Sequence, residues 1–228
     1  MTVQFTLPHL QVTNITLSGS EHLRQFYHGA DWFLQHQDSR GGWPSQVTFN
    51  KGSKKYPGAE EIKPGEVNFV SISLVQCNYF EGWYGAMCQG QAMSVLVRAF
   101  LHCREERYLA AAQRALGPFT ASSNESGVRA EFPGGLPWYE EYPTNPPTFI
   151  LNGFMYSLLG LSDLASATQQ MGQEGEVTTP AGQSDLAGDL YRAGLSSLLT
   201  LLPLYDSGSG TFYDLRHFTM KTAPKGAR

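Results

Sequence analysis

The stretch that decides the fold is residues 86–118, AMCQGQAMSVLVRAFLHCREERYLAAAQRALGP. Up to about residue 102 its apolar side chains recur at the spacing of one helix face, which predicts an amphipathic helix. A second helix is predicted over about 105–116 and should end at Gly117-Pro118, where helices commonly stop. Because very few residues join the two helices, the stretch predicts an antiparallel helical hairpin.

Further helices are predicted on both sides of this hairpin. One begins near Ser20, a suitable N-cap, and runs to about residue 37, before the DSRGG segment at 38–42. Two more cover about 149–165 and 184–201, and the polar stretch 169–183 between them is typical of a mobile loop. A brief strand is expected at 128–132, and the glycines within 202–218 suit a tight hairpin turn between short strands.

These elements predict a mainly α fold. Helical hairpins separated by glycine-rich and aromatic-rich loops suit an incomplete α/α barrel, or toroid, with short β-hairpins in its loops. An ordinary helical bundle is the alternative. Residues 1–19 are expected to form a short extended segment ahead of a single domain over 20–228.

The composition places the chain among globular proteins and limits its function classes. Of its 228 residues, 41% are hydrophobic and 16% are charged, with a formal net charge of −4. Nucleic-acid-binding proteins neutralise phosphates with clustered Lys and Arg, so this charge argues against a nucleic-acid partner. The sequence has no apolar run long enough to span a bilayer and no signal-peptide pattern at its N-terminus. We therefore expect either an unexported soluble protein or part of a longer chain.

Common catalytic signatures are missing from the sequence. Cys77, Cys88 and Cys103 lack the spacing of zinc ligands. There is no P-loop, no Gly-x-Ser-x-Gly elbow and no dinucleotide fingerprint. Serine hydrolases, NTPases and Rossmann dehydrogenases therefore do not lead the candidate functions.

The segment WYEEYP, residues 138–143, places two tyrosines around two adjacent glutamates. Side chains alternate along an extended backbone, so we expect one of Glu140 and Glu141 to face a cleft and the other to face solvent. A carboxylate buried beside aromatic rings has a raised pKa, which suits it to exchange a proton near neutral pH. Taken alone, the segment fits a solvated acidic turn better than an active site.

Two other groups of residues could carry chemistry. In TFYDLRH, residues 211–217, an extended backbone would put Asp214 and Arg216 on one face, where they can pair; arginine also favours carboxylate and sulfate ligands. Asn152 and Tyr156 lie four residues apart on a predicted helix and so share a face, near the helix end that attracts anions. Each group by itself fits a structural role better than a functional one.

Four longer motifs, taken together, resemble one known family: GGWP at 41–44, GWYGAMCQGQA at 82–92, LPWYEEYPTNPPTFILNGFMYSLLGLSDL at 136–164 and LPLYDSGSGTFYDLRHF at 202–218. In the same order they are similar to the C-terminal domain of the D-glucuronyl C5-epimerases. The resemblance covers nearly everything from about Ser20 onward. It implies an isomerase that inverts C5 of D-glucuronate to give L-iduronate in N-sulfated heparosan, during heparan sulfate and heparin biosynthesis.

The resemblance also implies a setting for this reaction. The expected fold is the α/α barrel, the expected location is the lumenal side of the Golgi membrane, and the expected assembly is a homodimer. Expected partners are the heparan sulfate chain and other enzymes of its biosynthesis. The chemistry requires no cofactor, whereas a structural Ca²⁺ is implied by the family without a site in this sequence.

Individual residues receive roles from the same resemblance. Three match the family's catalytic positions: Glu141, Tyr142 and Tyr213. Five match positions that contact the substrate chain, the last two only loosely: Asn152, Tyr156, Arg216, Asn50 and Lys51. Arg216 is the candidate for holding the uronate carboxylate.

Two departures from the family pattern lead to further expectations. A third active tyrosine is expected in a Trp-Asp-Tyr-His-Thr-Thr-His segment shortly after YDLRH, and the chain stops at PKGAR before it. We therefore expect a truncated domain that lacks one acid-base group and has little or no activity. The family's Pro-Gly-Trp-Tyr is interrupted by the 17 residues 66–82, a suspected insertion. Glycosylation sequons at Asn14 and Asn124 matter only in a secreted context.

Two other function classes stay open. One is a non-catalytic module that binds heparan sulfate through Arg216, the aromatic cleft and the basic loop at 50–55. The other is a uronate polysaccharide lyase, because lyases share the first step of proton abstraction at C5.

Overall fold

The computed structural model describes residues 6–7, 10–11, 20–45, 83–144, 146–174 and 185–219. Helices carry most of these residues: α1 (Ser20–His36), α2 (Ala86–Cys103), α3 (Glu106–Arg114), α4 (Gly117–Thr120), α5 (Leu151–Glu174) and α6 (Leu186–Leu201). Two antiparallel strand pairs accompany them: β1 (Thr6–Leu7) with β2 (Leu10–Gln11), and β3 (Arg129–Phe132) with β4 (Leu136–Tyr139). The described part of the chain is thus mainly α, as the sequence predicts. Within it, no helix is both long and apolar enough to cross a membrane.

The predicted helices are confirmed, with one extension. α1, α2, α3 and α6 begin and end close to their predicted limits. α5 continues to Glu174, so the first part of the polar stretch 169–183 is helical rather than a loop. Gln169 and Gln170 are exposed. Polar side chains on a solvent-facing surface do not end a helix, because they lose little conformational freedom there.

The hairpin expected within 202–218 is confirmed only at its turn. Gly208 has a φ of 79°, a backbone conformation that favours glycine. A single bridge between Asp206 and Thr211 closes the turn. On either side the chain forms 3₁₀ helices, Leu202–Tyr205 and Arg216–Phe218, so the extended strands predicted there are wrong.

Helices α2 and α5 run parallel and almost touch through their backbones. A Cβ at Gly90 would lie 2.4 Å from the carbonyl oxygen of Tyr156, and one at Gly160 would lie 2.2 Å from the carbonyl oxygen of Gly90. One turn further on, Ser94 of α2 donates to Asp163 of α5. Only glycine allows such a close crossing, because any side chain would overlap the opposing backbone. The first turns of the two helices consequently lie at the same end of the pair.

Aromatic side chains of β4 anchor this strand against α5 and α6. The ring of Trp138 stacks on Phe154 with centroids 3.6 Å apart and an interplanar angle of 11°. The Tyr139 hydroxyl donates to the carbonyl oxygen of Leu190 at 2.8 Å. Trp138 and Tyr139 are both fully buried. These contacts fix the end of β4, and the residues that follow the strand therefore start from a fixed position.

Candidate active site

The segment directly after β4 lies between the first turns of α2 and α5. Ala86, the first residue of α2, donates its N–H to the carbonyl oxygen of Glu140 at 2.9 Å. A Cβ at Gly85 would lie 2.7 Å from the carbonyl oxygen of Glu141, and one at Gly153 would lie 2.5 Å from its Oε2. Helix N-termini expose backbone N–H groups and a partial positive charge. Two such ends meeting at one place suit the binding of an anion.

Glu141 is a buried carboxylate with unused hydrogen-bonding capacity. The residue is 6% exposed, and its Oε2 meets no hydrogen-bond partner among the described residues. Burial raises the pKa of Glu141, while the neighbouring Tyr142 side chain and Gly153 N–H oppose part of the rise. A carboxylate in this state takes up a proton more readily than an exposed one. This placement agrees with the expectation that one of the two glutamates turns away from solvent.

The expectation that the other glutamate faces solvent is wrong. Glu140 is fully buried, and its carboxylate accepts hydrogen bonds from Thr148 N–H at 3.3 Å, Thr148 Oγ1 at 3.0 Å and Phe149 N–H at 2.9 Å. Burial raises the pKa of Glu140 to about 7, and these donors oppose the rise. The alternation of side chains applies only along a continuing strand, whereas β4 ends at Tyr139 and the chain then bends.

Aromatic and glycine-rich motifs flank the Glu-Tyr pair. The ring of Tyr142 packs against Trp83 with centroids 5.6 Å apart. Ser45 donates its N–H to the carbonyl oxygen of Trp83 at 2.7 Å. Buried Gln89 accepts from the N–H of Trp43 and donates to its carbonyl oxygen, both at 3.0 Å. The GGWP and GWY motifs, distant in sequence, are thereby joined beside the first turn of α2.

The segment that carries Tyr213 pairs with the residues leading into α5. Leu151 donates its N–H to the carbonyl oxygen of Tyr213 at 3.2 Å, and Leu215 donates to that of Thr148 at 3.1 Å. Ile150 and Asp214 form an antiparallel bridge between these two segments. The side chain of Tyr213 is 41% exposed. Tyr213 therefore lies at the start of α5, the turn that also contacts Glu141.

Asn152 and Tyr156 lie where the sequence predicts, on the first two turns of α5. Asn152 is exposed and Tyr156 is 44% exposed. The start of α5 thus gathers five of the predicted site residues: Glu141, Tyr142, Asn152, Tyr156 and Tyr213.

Arg216 forms the predicted ion pair with Asp214, in a different backbone setting. Its Nε donates to Asp214 Oδ2 at 2.7 Å, and Nη2 contacts the same oxygen. Arg216 is 2% exposed. The extended backbone predicted for this segment is wrong, because the chain enters a 3₁₀ helix at Arg216 and no longer alternates. Contact between Arg216 and a uronate carboxylate stays a prediction.

Other predicted features lie outside the described residues: Asn50, Lys51, Asn14 and the suspected insertion at 66–82. Asn124 is described and is exposed on a short 3₁₀ turn. Among the described residues, no cluster of His, Cys, Asp and Glu has the make-up of a metal site.

Two contributors to the site were not predicted from the sequence: Gly153 and the burial of the Glu140 side chain. An isolated glycine in a helical segment signals close approach of another group, and Gly153 carries that signal. Glu140 carries no comparable signal, because its ligands at 148–149 follow a proline-rich loop whose path is not readable from sequence.

Comparison with known proteins shows the family to which the chain is similar. The family described as D-glucuronyl C5-epimerase C-terminus matches residues 64–228. The chain is 43% identical over 214 residues to D-glucuronyl C5-epimerase of Caenorhabditis elegans, covering 94% of this chain and 31% of that protein. It is 32% identical over 140 residues to an uncharacterised protein of Methanocaldococcus jannaschii, covering 60% of this chain and 41% of that protein.

The chain thus spans about a third of the length of the worm relative and about two-fifths of the archaeal one. The family match covers most of the chain and includes every described residue of the site from Trp83 to Arg216. This chain belongs to the D-glucuronyl C5-epimerase C-terminal family.

Proposed function

We propose that this chain carries acid-base groups of a uronate C5-epimerase, which converts D-glucuronate to L-iduronate in N-sulfated heparosan. The observation that carries the proposal is the buried Glu141, whose Oε2 lacks a hydrogen-bond partner within the described part of the chain. Tyr142 follows it directly, and Tyr213 lies at the same turn of α5. Family membership supports the reaction class, and the worm relative bears the name of this activity.

The proposed chemistry begins with the C5–H bond, which lies next to the uronate carboxyl group. Glu141 takes the C5 proton, and the electron pair of the broken bond spreads into that carboxyl group. The added negative charge is stabilised by nearby donors, the device that contributes most in sites of this kind. The N-terminal ends of α2 and α5, together with the amide of Asn152, are suitable donors.

Inversion requires that a proton return to C5 from the opposite face of the sugar ring. A tyrosine hydroxyl, from Tyr142 or Tyr213, donates this proton; solvent then reprotonates the phenolate and takes the proton from Glu141. Tyr156 extends the exposed aromatic surface along α5, where it can pack against a neighbouring sugar. No step in this scheme needs a cofactor.

The wider setting is also part of the proposal. We propose that the parallel pair α2 and α5 belongs to an incomplete α/α barrel, with the site at its loop end. Lumenal Golgi location, homodimer formation, a structural Ca²⁺ and association with other heparan sulfate enzymes rest on family likeness alone. Arg216 remains the proposed partner of the uronate carboxylate, and Asn50 and Lys51 remain proposed contacts of the chain.

The proposal is tested by hydrogen exchange at C5. N-sulfated heparosan is incubated with the chain in D₂O, and deuterium at C5 is measured by mass spectrometry with long incubations. Because the chain is predicted to lack one acid-base group, we expect the exchange to be slow, and we expect Glu141→Gln to reduce the remaining rate by about 100-fold or more, the typical contribution of a general base. Glu131→Gln, at an exposed position on β3, serves as the matched control and should retain the rate.

Each other outcome has a defined meaning. A Glu141→Gln variant that exchanges at the unmodified rate would contradict the role of Glu141. Oligosaccharide binding without exchange in the unmodified chain would support a heparan-binding module instead. Absorbance from an unsaturated uronate would indicate a lyase.

A further inference from the structure

We propose that Glu140 is the positioning residue of this site. It joins the Glu141–Tyr142 segment to the turn at 148–149, which leads into Asn152 and binds the segment of Tyr213. It thereby sets the separation of the groups that act on the sugar. This inference deepens the proposed function and rests on it for the reaction concerned.

The main chain of Glu140 is fixed to two elements. Its N–H donates to the carbonyl oxygen of Val128 at 2.7 Å, next to the start of β3. Its own carbonyl oxygen accepts the N–H of Ala86 at 2.9 Å, at the start of α2. The Glu141–Tyr142 segment therefore begins from a residue that cannot shift without breaking contacts to the β3–β4 hairpin and to α2.

The side chain of Glu140 holds a third element, the turn ahead of α5. Its carboxylate accepts both backbone N–H groups of Thr148 and Phe149, at 3.3 Å and 2.9 Å, as well as the Thr148 hydroxyl at 3.0 Å. Phe149 has a φ of 55°, which is unfavourable for a bulky residue and persists only where its surroundings enforce it. The Tyr205 hydroxyl also donates to the carbonyl oxygen of Phe149, at 2.6 Å.

The turn at Thr148 and Phe149 also positions the segment of Tyr213. The carbonyl oxygen of Thr148 accepts the N–H of Leu215 at 3.1 Å, and Leu151 donates to the carbonyl oxygen of Tyr213 at 3.2 Å. The side chain of Glu140 therefore connects the main chain next to Glu141 to the turn to which Tyr213 is bound. A change at Glu140 is transmitted to both sides of the site.

The choice of a carboxylate here has a physical reason. Burial of an ionisable side chain is unfavourable, and an apolar residue of similar size would pack there at less expense. An apolar side chain, however, cannot accept two backbone N–H groups from a turn held at positive φ. Those donors would then be buried without partners, which is destabilising in its own right.

Amide hydrogen exchange and C5 exchange kinetics together test the inference. In Glu140→Ala, we expect exchange at the amides of Leu151 and Leu215 to rise about tenfold or more, because both close the turn that Glu140 holds. We expect kcat for C5 exchange to fall by about 100-fold, since small misplacements of reacting groups have large effects, while KM changes much less. Glu140→Gln should recover part of both effects, because its amide oxygen can still accept one N–H. Glu131→Ala is the control and should change neither.

A folded Glu140→Ala variant with unchanged exchange at Leu151 and Leu215 would overturn the inference. The inference would also be overturned if Glu140→Gln changed kcat and KM for C5 exchange by equal factors. If Glu140→Ala does not fold, Glu140→Gln alone decides the question by the same two measurements. Absence of both oligosaccharide binding and C5 exchange in the unmodified chain would contradict the proposed function instead, and the amide exchange would still report on the positioning role.

Discussion

The adjacent glutamates of this site differ in their hydrogen-bond partners, and a single bend in the chain separates them. Both carboxylate oxygens of Glu140 accept hydrogen bonds, three in all, whereas Oε2 of Glu141 has no hydrogen-bond partner within the described residues. Burial raises the pKa of both. A raised pKa alone thus does not distinguish the two carboxylates, whereas their hydrogen-bond partners do.

Gly153 should prove necessary for the position of Glu141. A Cβ there would lie 2.5 Å from both Cβ and Oε2 of Glu141. We expect Gly153→Ala to displace that carboxylate and to lower C5 exchange by about tenfold or more, since misplaced catalytic groups lose rate steeply. Gly172→Ala, in the same helix with open space around it, is the matched control and should leave the exchange rate unchanged. Equal rates in the two variants would contradict the prediction.

The pKa of Glu140 also predicts how stability depends on pH. The folded protein holds this proton with a pKa of about 7, against 4.5 for an ordinary glutamate. Because the unfolded chain releases the proton first, the free energy of unfolding should fall as pH rises between these two values. The contribution is at most about 3 kcal/mol, since one pKa unit corresponds to about 1.4 kcal/mol.

Urea unfolding at a series of pH values between about 4.5 and 8 measures this dependence. Glu140→Gln should show a flatter profile than the unmodified chain. The groups facing Glu140 are Asp214, which raises its pKa, and the donors of Thr148 and Phe149, which lower it. Parallel profiles for the two proteins would show that Glu140 does not titrate in this range.

At the scale of elements, the crossing of α2 and α5 fixes the site. Gly90 and Gly160 bring the helix backbones together, and the first turns of both helices then meet around Glu141. A shift of either helix along the other would separate Gly85, which contacts the main chain of Glu141, from Gly153, which contacts its side chain.

Gly90→Ala should destabilise the protein by about 2–4 kcal/mol, because overpacking at a backbone contact forces the helices apart. The added Cβ would lie 2.4 Å from the carbonyl oxygen of Tyr156, which cannot move aside as a side chain could. Thermal or urea unfolding measures the loss. Gln91→Ala, at the next and exposed position, should change stability by less than about 0.5 kcal/mol. If Gly90→Ala is as stable as the unmodified protein, α2 and α5 can move apart without loss of stability, and the prediction is wrong.

The elements were predictable where a local pattern decided them. The apolar spacing in α1, α2, α3 and α6 gives their extents closely, and Gly208 gives its turn. The path of the chain into the 3₁₀ helix at Arg216 depends on a tertiary contact, the bridge between Asp214 and Ile150, whereas α5 ends in a polar stretch that carries no apolar pattern. Motifs predict the candidate site residues, whose roles stay predictions, but the burial of Glu140 depends on a turn that only the folded chain brings to it.

At the scale of the whole molecule, a buried group of charges lies beneath the exposed site residues. Asp214 and Arg216 form an ion pair that is almost fully buried, and the charge of Asp214 acts on Glu140. The exposed Tyr213 is therefore followed directly in the chain by a member of a buried ion pair. Removal of one member of such a pair leaves the other charge uncompensated.

Arg216→Ala distinguishes a structural from a substrate-binding role. If the ion pair supports the fold, the variant should be destabilised by about 3–5 kcal/mol, and Asp214→Ala combined with it should recover part of the loss. If Arg216 holds the uronate carboxylate, the variant should bind N-sulfated heparosan oligosaccharides more weakly at nearly unchanged stability. Urea unfolding and calorimetric titration of the same samples separate the two.

The parallel course of α2 and α5 has an electrostatic consequence for the molecule as a whole. Two helix dipoles that point the same way repel each other, most strongly where their like ends meet. The carboxylate of Glu141 lies between the two positive ends, but its pKa is raised, because burial disfavours the charged form more than its surroundings favour it. An anion bound there supplies negative charge to both helix ends, and the melting temperature of the protein should therefore rise in the presence of an acidic sugar chain.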